Sequence, residues 1–204
     1  MNKVKGIYQW VLSWAQSPYG AIALFILAFA ESVFFPIPPD VLLIALALGA
    51  AAKSFRYALI CTAGSVAGAF VGYGIGHFAW LTSGGEFTAF ANFFFNNIPG
   101  FTVALFNNIK ALFLQWDFWI IFTAGFTPIP YKVFTITSGV FEINLFMFFI
   151  ASLISRGARF FLIAYLIWKF GPGIKRFIDK YFNVLALGFT VLLIGGFVVI
   201  KYLL

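Results

Sequence analysis

Five charged side chains lie inside otherwise apolar sequence: Glu31, Asp40, Lys132, Arg156 and Arg159. An ionised group in hydrocarbon is costly unless it pairs or faces a wet cavity, so each of the five is a candidate functional residue. Together they are two acids against three bases, and complete pairing would leave one positive charge over. Arg156 and Arg159 stand three apart, on one face of a helix, with Ser152 and Ser155 beside them. Two guanidinium groups so placed suit an oxyanion such as phosphate, which accepts their parallel donors. Asp40 and Lys132 have two readings. They form an ion pair that staples two parts of the chain, with Glu31 matched to an arginine, or they stay free to meet a ligand. Glu31, partly desolvated, would also give movement a route to proton coupling.

Other chemistry has little support. There is no nucleophile with its base, no phosphate loop and no paired-carboxylate hydrolase pattern, so no enzyme is expected. His77 reads as an interfacial polar residue and Cys61 as a buried free thiol. Neither builds a metal site, and no cofactor is expected.

The elements that must position these charges are broken helices. FPIPPD runs from Phe35 to Asp40, and GFTPIPYK from Gly125 to Lys132. Pro36 and Pro38 in the first, and Pro128 and Pro130 in the second, remove helical donors and disfavour helix at the residues before them. The arms on either side are short. Val41 to Ala52, Phe118 to Phe126 and Tyr131 to Phe141 each fall well below the roughly 20 residues that cross a bilayer, which predicts re-entrant hairpins. A shift of 92 positions lays Pro36, Pro38, Asp40 and Val41 on Pro128, Pro130, Lys132 and Val133, and each copy is followed by a long apolar segment. Hairpin then span, twice, is an internal repeat. Broken helices in inverted repeats belong to transporters, with a site near the midplane.

Composition sets the solvent. The 204 residues are 63% hydrophobic and 9% charged, against about 25% charged in soluble domains. The fold class is therefore an all-α membrane protein, since strands of a membrane barrel would alternate apolar and polar residues. The net charge of +7 is scattered at segment ends and predicts topology, not nucleic acid. If both hairpins return to the side they left, Lys3, Lys5, Lys53, Arg56, Lys169, Lys175, Arg176 and Lys180 share one face, against Lys110 and Lys201. That bias predicts a cytoplasmic N-terminus, and makes the two repeats inverted.

The chain then divides as one membrane domain. Residues 1–18 are an interfacial helix, 19–53 the first re-entrant hairpin, 54–81 a span, and 82–116 an aromatic interfacial insert. Residues 117–142 are the second hairpin, 143–168 a span, 169–180 a basic cytoplasmic turn and 181–204 a last span. Gly64, Gly68, Gly72 and Gly76 form a four-residue ladder in the first span, a smooth groove for close helix packing or for a substrate.

At GFTPIPYKVFTITSGV and ASLISRGARFFLIAYLIWKFG the sequence resembles the DedA superfamily, also called SNARE-associated or VTT-domain membrane proteins, and most of all its YqaA-type branch. ESVFFPIPPD carries a weaker likeness, and the whole covers about residues 19–170. The resemblance implies two facing re-entrant hairpins and the movement of lipids across the bilayer: undecaprenyl phosphate in bacterial members, phospholipids in eukaryotic relatives. It also implies dependence on a proton gradient and on membrane acids and arginines, here Glu31, Asp40, Arg156 and Arg159. The sequence departs from the family pattern where TAGFTPIPYK replaces an arginine-bearing stretch, so Lys132 takes over that charge. The insert has no counterpart.

The reading is a flippase- or scramblase-like transporter in a bacterial inner membrane, passing an anionic lipid head group between Lys132, Arg156 and Arg159. Its alternatives are a proton-coupled carrier or channel for a small soluble ion, and a non-transporting scaffold. Membrane lipids and protons are the expected partners, and homo-oligomer formation is left open.

Overall fold

A computed structural model describes residues 14, 17–35, 37–82, 84–97, 102–127, 130–171 and 173. Most of the expected N-terminal interfacial helix, Pro36, Pro128, most of the basic turn and the last span lie outside the described residues.

Among the described residues the chain is all-helical, with one isolated bridge between Leu81 and Phe87. Helix α1 (Gly20–Val33) and α2 (Asp40–Gly49) flank the first proline cluster. A short 3₁₀ turn, Ala51–Lys53, leads into α3 (Ser54–Trp80). Two helices, α4 (Ala89–Asn97) and α5 (Val103–Gln115), form the aromatic insert. Then come α6 (Asp117–Phe126), α7 (Tyr131–Val140) and α8 (Leu145–Phe170).

Among the described residues, only α3, with its leading 3₁₀ turn, and α8 are single helices long and apolar enough to cross a membrane. With 27 and 26 residues each reaches about 40 Å at 1.5 Å per residue, beyond a hydrocarbon core of roughly 30 Å. Their outward faces fit that solvent: Phe78, Phe146 and Trp168 are more than half exposed, a display of apolar surface that water would punish. By contrast α1, at 14 residues, and α2, α6 and α7, at 10 each, fall short. Helices α5 and α6 together are long and apolar enough to span, but they meet at 82°. Residue 116 separates them, and the Asp117 carboxylate, accepting from the Phe118 amide at 2.6 Å, starts α6 afresh.

The packing follows a pattern in which the hairpins share partners. Helix α1 lies on α3 and α6 on α8, so each first arm packs on the long helix that follows it. Helix α7, the second arm of the later pair, lies on α3, while α2 touches α8 and α3 about equally. The glycine ladder explains the close approach along α3. A Cβ at Gly64 would sit 2.5 Å from the Phe25 carbonyl oxygen, and one at Gly68 would strike the Phe29 carbonyl. At Gly72 it would meet Thr135 and, at Gly76, the Ile136 carbonyl. The groove is thus filled by helix backbone, α1 against its first half and α7 against its second.

The insert is not simply a surface layer. Phe106 and Phe113 are buried, and Phe106 stacks on Trp80 at 5.9 Å and meets Phe141 edge-on at 5.2 Å. Two apolar cores result. One joins Leu24, Leu43, Cys61 and Phe160; the other joins Ala69, Phe106, Tyr131 and Phe148. Along α3 the first core ends at Cys61 and the second begins at Ala69; along α8 the corresponding residues are Phe160 and Ala151. A polar layer fills the interval.

Candidate functional site

Ser65 and Arg156 mark that layer, and each is the twelfth residue of its long helix. Half-way along a spanning helix is where an ion needs partners most, and Arg156 has several. Its Nη2 donates to Glu31 Oε2 at 2.8 Å, and its Nε donates to Ser65 Oγ at 2.7 Å. Its guanidinium carbon lies 4.9 Å from the Tyr131 ring centroid and 4.6 Å from that of Phe160, close enough for cation–π attraction. With its side chain 3% exposed and that of Glu31 12% exposed, this is a buried ion pair.

Hydroxyl groups complete the layer. Ser65 Oγ also meets Ser32 Oγ at 2.8 Å, Tyr131 donates to Ser152 Oγ at 2.6 Å, and Thr135 Oγ1 lies 3.1 Å from the Ser32 carbonyl oxygen. Every one of these bonds joins two different helices. Nothing in residue type alone marks Ser32, Ser65 and Thr135 as members, though Ser65 stands beside the ladder glycine Gly64 and Tyr131 precedes Lys132.

Arg159 faces the hairpin tips. Its Nε and Nη2 donate to Asp40 Oδ1 and Oδ2 at 2.9 and 3.0 Å, a bidentate fork, while Nη1 donates to the Phe126 carbonyl at 3.2 Å. Asp40 opens α2, where the helix dipole favours an acid, and Phe126 closes α6, where it favours a cation. One guanidinium therefore ties both tips.

Of the two readings left open for Lys132, its geometry follows the one without an acid partner. It makes no ion pair with Asp40. Its Nζ donates to the Phe34 and Phe35 carbonyls at 3.2 and 3.3 Å, just past the C-terminal end of α1. The physical reason is twofold. The planar fork of Arg159 satisfies both oxygens of Asp40, which an ammonium cannot do. The end of α1 offers carbonyls without helical donors, a negative pole for a cation. Lys132 is accordingly the cluster cation without a carboxylate among the described residues.

The two arginines also diverge. Three apart on α8, they do not face one shared position but take one carboxylate each, Glu31 and Asp40. The candidate residues thus come together as two salt bridges and one lysine held by dipoles, a net charge of +1. Pro38 precedes α2 and Pro130 precedes α7, each within two residues of its charge. Away from this cluster, Glu142 takes Lys110 at 3.3 Å and stands 4.0 Å from His77 Nδ1.

Comparison with known proteins finds relatives but no described activity. An uncharacterized protein of Haemophilus influenzae is 30% identical over 197 residues, covering 96% of both chains. An uncharacterized protein of Histophilus somni is 30% identical over 161 residues, covering 78% of both. No family model matches, and no solved structure matches.

Proposed function

We propose a function from one premise: the chain belongs to the same family as the uncharacterized protein of Haemophilus influenzae. It is a lipid transporter of the DedA type, lodged in a bacterial plasma membrane with its N-terminus in the cytoplasm. It carries an anionic lipid head group, such as undecaprenyl phosphate or a phospholipid phosphate, past two re-entrant hairpins related as inverted repeats. The packing of the first arms supports that symmetry, since α1 lies on α3 and α6 on α8, each on the long helix that follows it.

The observation that carries the reading is the unbalanced charge layer half-way along α3 and α8. Two carboxylates hold two guanidinium groups, and Lys132 is left with carbonyl dipoles alone. A phosphate entering from the tips meets Lys132 without displacing an acid. To go further it must replace Asp40 on Arg159, then Glu31 on Arg156, and phosphate suits a guanidinium fork as well as a carboxylate does. Protonation of either acid would lower the barrier to that exchange, which is how protons would couple.

Reconstitution into liposomes with a headgroup-labelled phosphatidylglycerol tests the reading. Lys132→Met and Arg159→Ala are expected to slow transbilayer movement at least tenfold. Wild-type flux in both variants, with the fold intact, overturns it.

The close fit of Arg156, 3% exposed with partners on both sides, favours a second reading, in which the layer is a staple in a scaffold. Exchanging the charges of Asp40 and Arg159 in one variant separates the two. A staple keeps its function after the exchange, whereas a phosphate path loses it.

A further inference from the structure

The first hairpin encloses a cavity of about 530 Å³ whose lining side chains are all aliphatic or aromatic. Ile22, Ile26 and Ala30 recur every four residues along α1 and form its floor. Leu42 closes it from α2, and Phe34 and Phe35 form its end. From Ile22 to Phe34 the helix advances about 18 Å, close to one leaflet of a roughly 30 Å hydrocarbon core. The outer wall is open, for Ile22 and Ile26 are 59% and 58% exposed. At the Phe34 end, the backbone carbonyls of Phe34 and Phe35 hold Lys132 Nζ.

An apolar trough about one leaflet long, with a cation beside its end that pairs with no carboxylate among the described residues, has the shape of a single lipid molecule with a negative head. We infer that this trough binds one hydrocarbon chain of an anionic lipid, seating its phosphate beside Lys132. The inference rests on the lipid-transport reading and names where the lipid waits. A chain leaving the bilayer for an apolar trough gains little, because lipid tails are as apolar as the wall. Selection must therefore come from the head group, and the trough's part is to fix the head at Lys132. That separates a binding trough from an ordinary lipid-facing surface, which would treat charged and neutral lipids alike.

Photolabelling in phosphatidylcholine liposomes decides the matter. The probes are a phosphatidic acid carrying a diazirine near its chain end and the matching neutral diacylglycerol, with adducts mapped by mass spectrometry. We expect adducts concentrated on residues 22–35, at least five times more from phosphatidic acid than from diacylglycerol. Lys132→Met should bring the two lipids level. Ala30→Phe should remove most adducts by filling the trough, and Ala23→Leu, a smaller change at the same wall, should lower them if the larger one disturbs folding. Equal labelling by both lipids, or adducts spread evenly over the exposed face of α8, overturns the inference. Labelling is read apart from transport. Selective adducts without flux keep the trough and sink the transporter, and flux without selective adducts does the reverse.

Discussion

Neutralising Glu31 should expose how much of the fold hangs on the central arginine. In Glu31→Gln the amide oxygen can still accept from Arg156 Nη2, now 2.8 Å from the carboxylate, but the guanidinium charge loses its counter-charge in a place 3% exposed. Removing one partner of a buried pair costs about 3–5 kcal/mol, roughly two to three and a half decades in the folding equilibrium. Arg156→Met should cost a similar amount, since it strands Glu31 and deprives Ser65 of its Nε donor. The double variant removes both charges and leaves a neutral, well-filled site, so it should recover about 2–3 kcal/mol relative to the sum of the single losses. The assay is unfolding by SDS titration in mixed micelles, followed by tryptophan fluorescence, for the wild type and the three variants. Additive losses within about 0.5 kcal/mol would refute the claim that the two groups act as a pair. Lipid flux on the same samples supplies an independent readout. The double variant should fold and fail to transport, and wild-type flux from it would remove Arg156 from the phosphate path.

Three further outcomes follow from other contacts. Gly68→Ala puts a methyl against the Phe29 carbonyl and should destabilise by about 1–3 kcal/mol or more, whereas Gly74→Ala, with open space around it, should not, as the same titration will read. Tyr131→Phe keeps the buried ring but leaves Ser152 Oγ without the hydroxyl now 2.6 Å away, a loss of about 1–3 kcal/mol that the same titration will read. Lys110→Ala removes an ion pair whose side chains are 28% and 46% exposed, and its unfolding free energy should change by no more than about 1 kcal/mol.

Prolines made the breaks legible. Helix α1 stops at Val33 and α2 starts at Asp40 around one cluster, and α6 stops at Phe126 and α7 starts at Tyr131 around the other, because a missing amide donor acts locally. The five charges set in apolar sequence were equally plain, since an ion there needs a reason to be present. Their pairing was not legible. Aligned repeats set Asp40 opposite Lys132, but the fork of Arg159 reaches Asp40 from a third helix, and the carbonyl end of α1 competes for the lysine. Sequence marks side chains, and that competitor is backbone. Which side of the insert turns inward was not legible either. On α5, Phe106 and Phe113 are buried on one face while Leu105, Ile109, Leu112 and Leu114 are exposed on the others, so apolar side chains surround the helix and hydrophobicity alone does not single out its core face.

The glycine ladder has a mechanical consequence. Gly64 and Gly68 bear on α1, Gly76 bears on α7, and Gly72 touches Thr135 of α7 while lying near the Ser32 carbonyl of α1. With no side chains interlocked along this line, α3 is a smooth rail, and both hairpins ride on it. Any displacement of a tip along α3 is a shear that breaks no knob-in-hole contact, resisted chiefly by the hydroxyl and guanidinium links at the middle. Gly72 is the point where the two riders meet, so a single added methyl there acts as a wedge against both at once.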